Sequence, residues 1–523
     1  MMSATTEVPR YDSRAGLLLL FAVFVLALCG LVYELIAGTL SSYLLGDSVT
    51  HFSLVIGIFL FSMGIGSFLS RFLRQQLLAW FVGIEILIGL VGGTTALVSF
   101  ASFAFTDLYL PTLFIMLTTV GMLVGLEIPL VLRILRCAES LRLTAANVLS
   151  VDYLGCLAAS IAFPFFLVPH LGLVRAGAVM GLANVAVAAM LCWTFASDLG
   201  RWRRRLVVMT GLTGALLLAV TLLAGQAVSY LENRLYQDEV IFARNTPLQR
   251  VVVTRWRNDI RLYLNGLLQF SSLDEYRYHE ALVHPPTSLV ARPEQILILG
   301  GGDGLAAREV LKYPEVRKID LVDIDVHVTE LFRDNSLLAR LNDYALRDPR
   351  ITIHNMDALK FLENNNRQYD VIIVDLPDPS DDSLAKLYSL PFYRLIRRSL
   401  APAGMMVCQA TSPFRSRETF WCIHHTVQAA GGNRERGGPA WQARAYQSLV
   451  PTFGLWGFVL AGHAPVDPAQ IRLRVTTKYL TDELIAGLFV FSSDTSEVET
   501  SISGLMDPAV SRLYRSNYRQ LFD

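Results

Sequence analysis

Seven runs of apolar residues fill the first 230 positions, at 15–38, 52–73, 78–103, 108–132, 145–169, 171–197 and 206–230. A helix needs about 20 residues to cross roughly 30 Å of hydrocarbon, and every run supplies them. The chain is therefore expected to open with an α-helical membrane bundle of about seven spans, a multi-pass protein with the lipid bilayer as its partner. In the first run, the Leu26-Ala27-Leu28-Cys29 stretch resembles a processing site, but a bulky residue precedes Cys29 and the apolar run continues. That run is read as an uncleaved helix.

Charge follows the same division: residues 1–230 carry 22 charged side chains and the other 293 residues carry 68. The second half thus has the density of an ordinary globular protein, with length for one large domain or two smaller ones. A net charge of zero gives no reason to expect nucleic acid as a partner. Six cysteines, Cys29, Cys137, Cys156, Cys192, Cys408 and Cys422, form no CxxC pair and no metal-ligand spacing, so no metal site is expected. His424-His425 has no acid at ligand spacing either, and Trp421, Trp441 and Trp456 read as core residues.

Glu34, Glu85, Glu127 and Asp152 lie inside apolar runs, where a lipid-facing carboxylate is costly, and should point into the bundle. Two readings stay open for them: a polar or cation pathway, and interhelical hydrogen bonding. Gly89/Gly93, Gly121/Gly125 and Gly177/Gly181 stand four apart, spacing that lets helices approach closely. Arginines cluster in the N-terminal tail (Arg10, Arg14) and in alternate loops (Arg71, Arg74; Arg133, Arg136, Arg142; Arg201, Arg203, Arg204, Arg205), which puts the N-terminus in the cytoplasm. With seven spans, the soluble half would then face outward; with one span fewer it would face the cytoplasm. Its side stays open.

From 236 to 275 four short β runs are expected, Glu239–Arg244, Gln249–Trp256, Ile260–Leu264 and Leu267–Phe270, with an Asn265-Gly266 turn between the last two. Asn-Gly suits a hairpin because both central positions need positive φ. Next comes an apolar strand, Ile296–Leu299, that enters Gly300-Gly301-Gly302-Asp303-Gly304 and a helix from Leu305. That order opens a Rossmann-like α/β sheet, in which ligands bind outside the carboxyl ends of the strands. Asp323, Asp357 and Asp375 end three further strand-like runs, so with Asp303 they should share one crevice. Asp323 falls about 20 residues past the glycine turn, where a ribose is held. Asp357 would then face the base, accepting from an exocyclic amine. No GxxxxGK[ST] follows a strand, which argues against triphosphate hydrolysis. Asp303 inside the glycine loop would repel a phosphate or an amino-acid carboxylate, and suits a nucleoside whose tail ends in a cation.

Five motifs in register, Tyr263–Gln269, Asp274–Glu280, Gly300–Gly304 with Arg308–Leu311, Asp348–Arg350 and Asp375–Pro379, resemble the spermidine synthase family of polyamine aminopropyltransferases over roughly 236–460. The multi-span N-terminus resembles that family's membrane-bound branch. The resemblance implies transfer of an aminopropyl group from decarboxylated S-adenosylmethionine to putrescine, giving spermidine and methylthioadenosine. It implies that decarboxylated S-adenosylmethionine is a co-substrate, that no cofactor is bound, and that the chain is a homo-oligomer, a dimer or tetramer. By the same resemblance Gln249, Asp323, Asp357, Ala358, Gly300 and Gly302 contact the nucleoside, and Tyr278, His279, Asp303, Asp375 and Asp378 the polyamine. Asp375 is the proton acceptor. An ammonium has a pKa of about 10.4 and is no nucleophile until it loses a proton, which a carboxylate at hydrogen-bond distance can take.

The chain departs from the family at Ser380-Asp381-Asp382, where Gly-Pro is usual, at Phe453, where a tyrosine hydroxyl is usual, at Ala358 for glycine, and at Asp323 for glutamate. These departures leave the acceptor amine open. The expected domains are a transmembrane region 1–230, a small β-hairpin unit 231–285, a Rossmann-like (class I methyltransferase-like) domain 286–462 and a helical C-terminal extension 463–523. Two other functions remain: an S-adenosylmethionine-dependent methyltransferase, and a polyamine transporter or sensor using the intramembrane carboxylates.

Overall fold

The structure is a computed structural model that describes residues 13–45, 48–106, 108–135, 141–236, 238–246, 248–432, 441–463 and 466–520. Arg10, Arg136, Cys137 and Pro247 lie outside the described residues. The chain divides into two compact units, Met1–Val240 and Ile241–Asp523.

Among the described residues the first unit holds seven α-helices: α1 Ser13–Leu45, α2 Ser48–Leu69, α3 Leu77–Phe105, α4 Tyr109–Leu135, α5 Leu141–Ala162, α6 Val168–Thr194 and α7 Arg203–Tyr236. By length and composition six stretches are apolar enough to cross a membrane. One of them, Thr144–Thr194, is twice the usual length and is broken inside α6 at Gly172 (φ 70°, ψ 173°), so seven spans remain a consistent count. Helix contacts are set by small residues. A Cβ at Gly181 would come within 2.5 Å of the Gly89 carbonyl oxygen, and one at Gly125 within 2.1 Å of the Met63 oxygen. α3 therefore meets α6, and α4 meets α2, backbone to backbone.

Glu85 and Asn184 are fully buried and Glu127 nearly so. Both carboxylate oxygens of Glu85, one of Glu127, both amide atoms of Asn184 and the Tyr33 hydroxyl have no hydrogen-bond partner among the described residues. Interhelical hydrogen bonding thus does not account for Glu85, whose carboxylate meets no donor among the described residues.

The second unit carries two sheets. β1 Glu239–Asn245, β2 Arg250–Trp256, β3 Asp259–Leu264 and β4 Leu267–Ser271 pair in sequence order, with Asn265 (φ 50°) and Gly266 (φ 79°) turning the last hairpin. Helix α8, Glu275–Leu289, leads into the second sheet. Its strands are β5 Gln295–Gly300, β6 Lys318–Asp323, β7 Ile351–Asn355, β8 Tyr369–Asp375, β9 Leu400–Gln409, β10 Gln442–Val450 and β11 Gly454–Gly462, in the order β10-β11-β9-β8-β5-β6-β7. The five strands from β9 to β7 are parallel; β11 runs antiparallel to β9 and pairs with β10. Strands buried on both faces read as continuous apolar runs, as Ile296–Leu299 and Val371–Val374 do. Strand order reverses at β5, which pairs with β6 on one side and β8 on the other, and a crevice at that switch point is where such sheets hold ligands.

The C-terminal extension differs from the expected helical tail. Its described helices are short, Asp482–Leu488 and Ala509–Gln520, and it folds back along the sheet domain. The buried Glu280 carboxylate of α8 accepts the backbone N–H groups of Lys478, Tyr479 and Leu480 at 2.6, 2.8 and 3.0 Å. Trp421 donates its indole N–H to the Thr495 carbonyl at 3.1 Å. A polar tail closes its backbone bonds on buried partners in this way, a long-range pairing that sequence periodicity does not reveal.

Candidate active site

The glycine turn is built by close approach. Gly300 has φ 86°, and a Cβ there would stand 1.9 Å from the Asp375 carbonyl oxygen. Gly302 donates its N–H to Asp323 Oδ2 at 3.0 Å, and Asp323 Oδ1 accepts from Asp325 N–H at 2.9 Å. The ends of β5, β6 and β8 are thereby tied together. Asp303 closes the turn before the helix, its Oδ1 accepting from Leu305 N–H at 2.9 Å.

Tyr278 reaches across from α8 and donates its hydroxyl to Asp375 Oδ1 at 2.6 Å. Its ring is enclosed by Phe458, Trp456 and Phe453 at centroid distances of 5.4, 6.4 and 6.5 Å. The next residue, His279, is 2% exposed and donates Nδ1–H to the Glu275 carbonyl and carboxylate at 2.8 and 2.9 Å. Glu275 is held in turn by a bidentate pair with Arg308, 3.0 and 2.9 Å. Arg308 and Glu275 belong to motifs visible in the sequence, but their role in orienting His279 is not legible from spacing alone.

The electrostatics are those of a half-buried cluster of carboxylates. Burial lifts Asp303 to about 6, the His279 imidazolium opposing the rise and Asp375 adding to it. Burial likewise lifts Asp323 to about 6 and Asp378 to about 6 against the donors around them. Asp375 is raised by burial, with His279 and the Tyr278 hydroxyl pulling it back. For His279 burial favours the neutral ring, but the Glu275 carboxylate outweighs it and the imidazole rises to about 9. The His279 imidazolium, backed by the Glu275–Arg308 pair, therefore faces several carboxylates whose ionisation burial resists, a setting that attracts further positive charge.

Asp378 is gripped at both oxygens. Oδ1 accepts from Gln409 Nε2 at 3.3 Å, and Oδ2 from Thr411 Oγ1 at 3.2 Å and Tyr514 Oη at 3.1 Å. Thr411 has φ 61°, a costly state for a β-branched residue, and its N–H bonds Gln409 Oε1 at 3.0 Å. Gln409, Thr411 and Tyr514 were not expected from the sequence. Gln409 ends a strand, as the expected acids do, and offered a signal; Tyr514 offered none.

Tyr278, His279, Gly300, Gly302, Asp303, Asp323, Asp375 and Asp378 are thus linked by bonds or electrostatic contact. Gln249 joins them indirectly: its Nε2 donates to Asp325 Oδ2 at 3.1 Å, and Thr246 Oγ1 to the same oxygen at 2.8 Å. Asp357 and the buried Ala358 open a helix beyond β7. Asp357 is already occupied: Oδ1 accepts from Leu359 and Lys360 N–H at 2.9 and 3.2 Å, and Oδ2 from Lys386 Nζ at 2.6 Å. Burial works against its ionisation, but Lys386 and the N–H groups prevail and hold the carboxyl below the ordinary range.

Trp421 and Trp441 are buried, as expected, and Trp456 is half-buried. The fold brings Glu497 to His424 and His425, a set whose ligand atoms lie within 4.8 Å of one another. The expectation of no nearby acid is corrected, because Glu497 arrives from the returning tail. His425 already bonds Glu497 Oε1 at 2.9 Å and Thr500 Oγ1 at 2.8 Å, contacts that fasten that tail.

Comparison with known proteins gives a consistent set of likenesses. Residues 275–467 match the family model described as the spermine/spermidine synthase domain. The chain is similar to polyamine aminopropyltransferase 1 of Ralstonia nicotianae, 45% identical over 518 residues, 98% of this chain and 97% of that one. It is similar to polyamine aminopropyltransferase of Leptospira interrogans, 40% identical over 509 residues, 97% and 99% of the two chains. A crystal structure of spermidine synthase in complex with the transition-state analogue AdoDATO aligns with a TM-score of 0.44 at 26% identity, covering 49% of this chain and 86% of that one.

Proposed function

Because the chain belongs to the spermine/spermidine synthase family of polyamine aminopropyltransferases, and is a transferase of that kind, we propose that it moves the aminopropyl group of decarboxylated S-adenosylmethionine to putrescine, giving spermidine and methylthioadenosine. The observation that carries this reading is the meeting of Asp303, Asp375 and Asp378 with Tyr278 at the switch point of the sheet. A donor with a cationic tail and an acceptor with two ammonium groups both suit that concentration of carboxylate. A methyl donor that keeps its methionine carboxylate would be repelled by Asp303.

In the proposed reaction Asp375 takes a proton from the acceptor ammonium. The freed nitrogen lone pair then attacks the aminopropyl carbon next to sulfur. As the new C–N bond forms, the C–S bond breaks, and its electron pair neutralises the sulfonium to leave methylthioadenosine. Tyr278 fixes the Asp375 carboxylate during this step, and alignment of nitrogen and carbon supplies much of the acceleration. On the donor side Asp323 would take the ribose hydroxyls, with Gln249 beside it. Asp357 and Ala358 would border the adenine, Lys386 moving off Asp357 or sharing it. Incubating the full chain in detergent with each nucleoside donor tests this: methylthioadenosine supports the proposal, and S-adenosylhomocysteine alone refutes it.

We infer that α1–α7 anchor the enzyme in a membrane. Six stretches of sufficient length and apolarity support this, and a C-terminal reporter reads which side the soluble unit occupies. A second reading, polyamine movement through the bundle, is favoured by the unpartnered Glu85, Glu127, Asn184 and Tyr33 groups. An unpaired carboxylate in an apolar interior is costly enough to invite a cation or a proton. Spermidine uptake into proteoliposomes that is lost in Glu85→Gln would support it, and uptake no greater than in empty liposomes would exclude it.

A further inference from the structure

Asp378 is completed from the far end of the chain. We propose that the C-terminal helix Ala509–Gln520 is a working part of the acceptor-amine site, with Tyr514 as the residue that positions the Asp378 carboxylate. The inference rests on the reading of Asp378 as a partner of the acceptor amine.

Three observations support it. First, Tyr514 is 6% exposed and spends its hydroxyl on Asp378 Oδ2 at 3.1 Å. The other donors to that carboxylate, Gln409 and Thr411, both come from the end of β9, so Tyr514 fixes it from a second direction. Second, the helix is docked on the same loop. Ser511 Oγ and Arg515 Nη2 both reach Asp382 Oδ1 at 2.7 Å. Residues 511, 514 and 515 share one helix face, so a single face grips both ends of the segment 378–382. Elsewhere the helix is held by Asn517, which bonds Thr419 Oγ1 at 3.0 Å, and by buried Ala509 and Val510. Third, the aromatic wall beside Tyr278 includes Phe453, which carries no hydroxyl, and Tyr514 brings one to the carboxylate itself.

The chemistry follows from the bond pattern. Tyr514 and Thr411 saturate Oδ2, which leaves Oδ1, with only Gln409 on it among the described residues, as the oxygen open to an incoming ammonium. Burial pushes the Asp378 carboxyl up to about 6, and the Tyr514 hydroxyl is foremost among the donors that restrain it. Without that hydroxyl the carboxylate is both freer to rotate and easier to protonate.

The test compares wild type, Tyr514→Phe and Arg515→Ala, all as full chains in detergent, with decarboxylated S-adenosylmethionine and putrescine as probes. For Tyr514→Phe the expected result is a roughly tenfold fall in kcat/KM for the acceptor, the scale of one hydrogen bond to a charged group. KM for the donor stays at the wild-type value, the thermal midpoint falls by no more than the few degrees one such bond is worth, and the acid limb of the pH profile moves to higher pH. Arg515→Ala loosens the dock without touching Asp378, and should raise the acceptor KM selectively by a smaller factor. Wild-type acceptor kinetics in both variants overturn the inference, as does a parallel loss of donor and acceptor binding with a lowered midpoint. A wild type that forms no methylthioadenosine overturns the functional reading instead, and this inference with it.

Discussion

Replacing Tyr278 by phenylalanine removes one atom from the centre of the site and leaves the ring among Phe453, Trp456 and Phe458. The lost bond is short, 2.6 Å, and its acceptor is the ionised form of Asp375. Hydrogen bonds to charged groups are worth about 1.5–3 kcal/mol, which is a loss of about ten- to hundredfold in kcat/KM at 1.4 kcal/mol per decade. Direction in pH follows from the sign of the effect. Burial already raises Asp375 above the ordinary carboxyl range, and Tyr278 is one of the two groups that oppose it. Taking the hydroxyl away raises it further, so the base is lost at a higher pH and the acid limb of the profile shifts upward. If Tyr278 works through Asp375 protonation, the deficit should be greatest on that limb and narrow as pH rises. Methylthioadenosine release by the full chain, measured as kcat/KM from pH 5.5 to 9, reads both quantities. A limb that stays in place, with a deficit equal at every pH, would refute the argument. So would a loss smaller than about threefold.

Other outcomes follow from the same electrostatics. Asp303 and Asp378, each near 6, are partly protonated at pH 6, and a cationic ligand should expel those protons. Calorimetry of putrescine binding with methylthioadenosine present, in two buffers of different ionisation enthalpy, should register net proton release at pH 6; uptake would contradict it. His279 is raised from an unfolded value of about 6.5 to about 9, so its stabilising contribution is complete below pH 6.5 and is lost as pH rises through 9. That contribution is at most about 3 kcal/mol, and the fall in thermal midpoint between pH 7 and 10 should be blunted in His279→Gln. Glu280→Gln turns an amide N–H toward backbone N–H groups now bonded to a buried carboxylate. It should cost about 3–5 kcal/mol, read as a lowered midpoint and faster amide exchange at 478–480; a change under about 0.5 kcal/mol would falsify the tail-docking account.

Periodicity and turn chemistry carried much of the fold. The Asn265-Gly266 hairpin, the strand into Gly300 and the acids at strand ends are local signals, each written within a dozen residues. The seven apolar runs match seven helices for the same reason, with Gly172 marking the break between two of them. What stayed hidden depends on distant pairing. Nothing near residue 514 says that its hydroxyl meets Asp378, and nothing near Asp357 says that Lys386 occupies it. The His424-His425 pair looked isolated because Glu497 lies about 70 positions away. The returning tail, too polar and irregular to show a period, could be read only as an extension. Residue types at strand ends thus announce a site, whereas the partners that tune those residues arrive by topology.

The backbone contact between Gly300 and Asp375 has a consequence for how such an enzyme can diversify. The peptide that begins the glycine turn and the peptide of Asp375 leave no room between them for a methyl group. Neither position can drift without dislocating the other, so selection has to treat them as a single character. Latitude lies instead in 380–388 and in the C-terminal helix, which meet at Asp378 and Asp382 and, on the proposed reading, border the acceptor without carrying the base. New acceptor preferences should therefore arise by exchange of the packed parts around an immovable pair, with the reaction itself inherited intact.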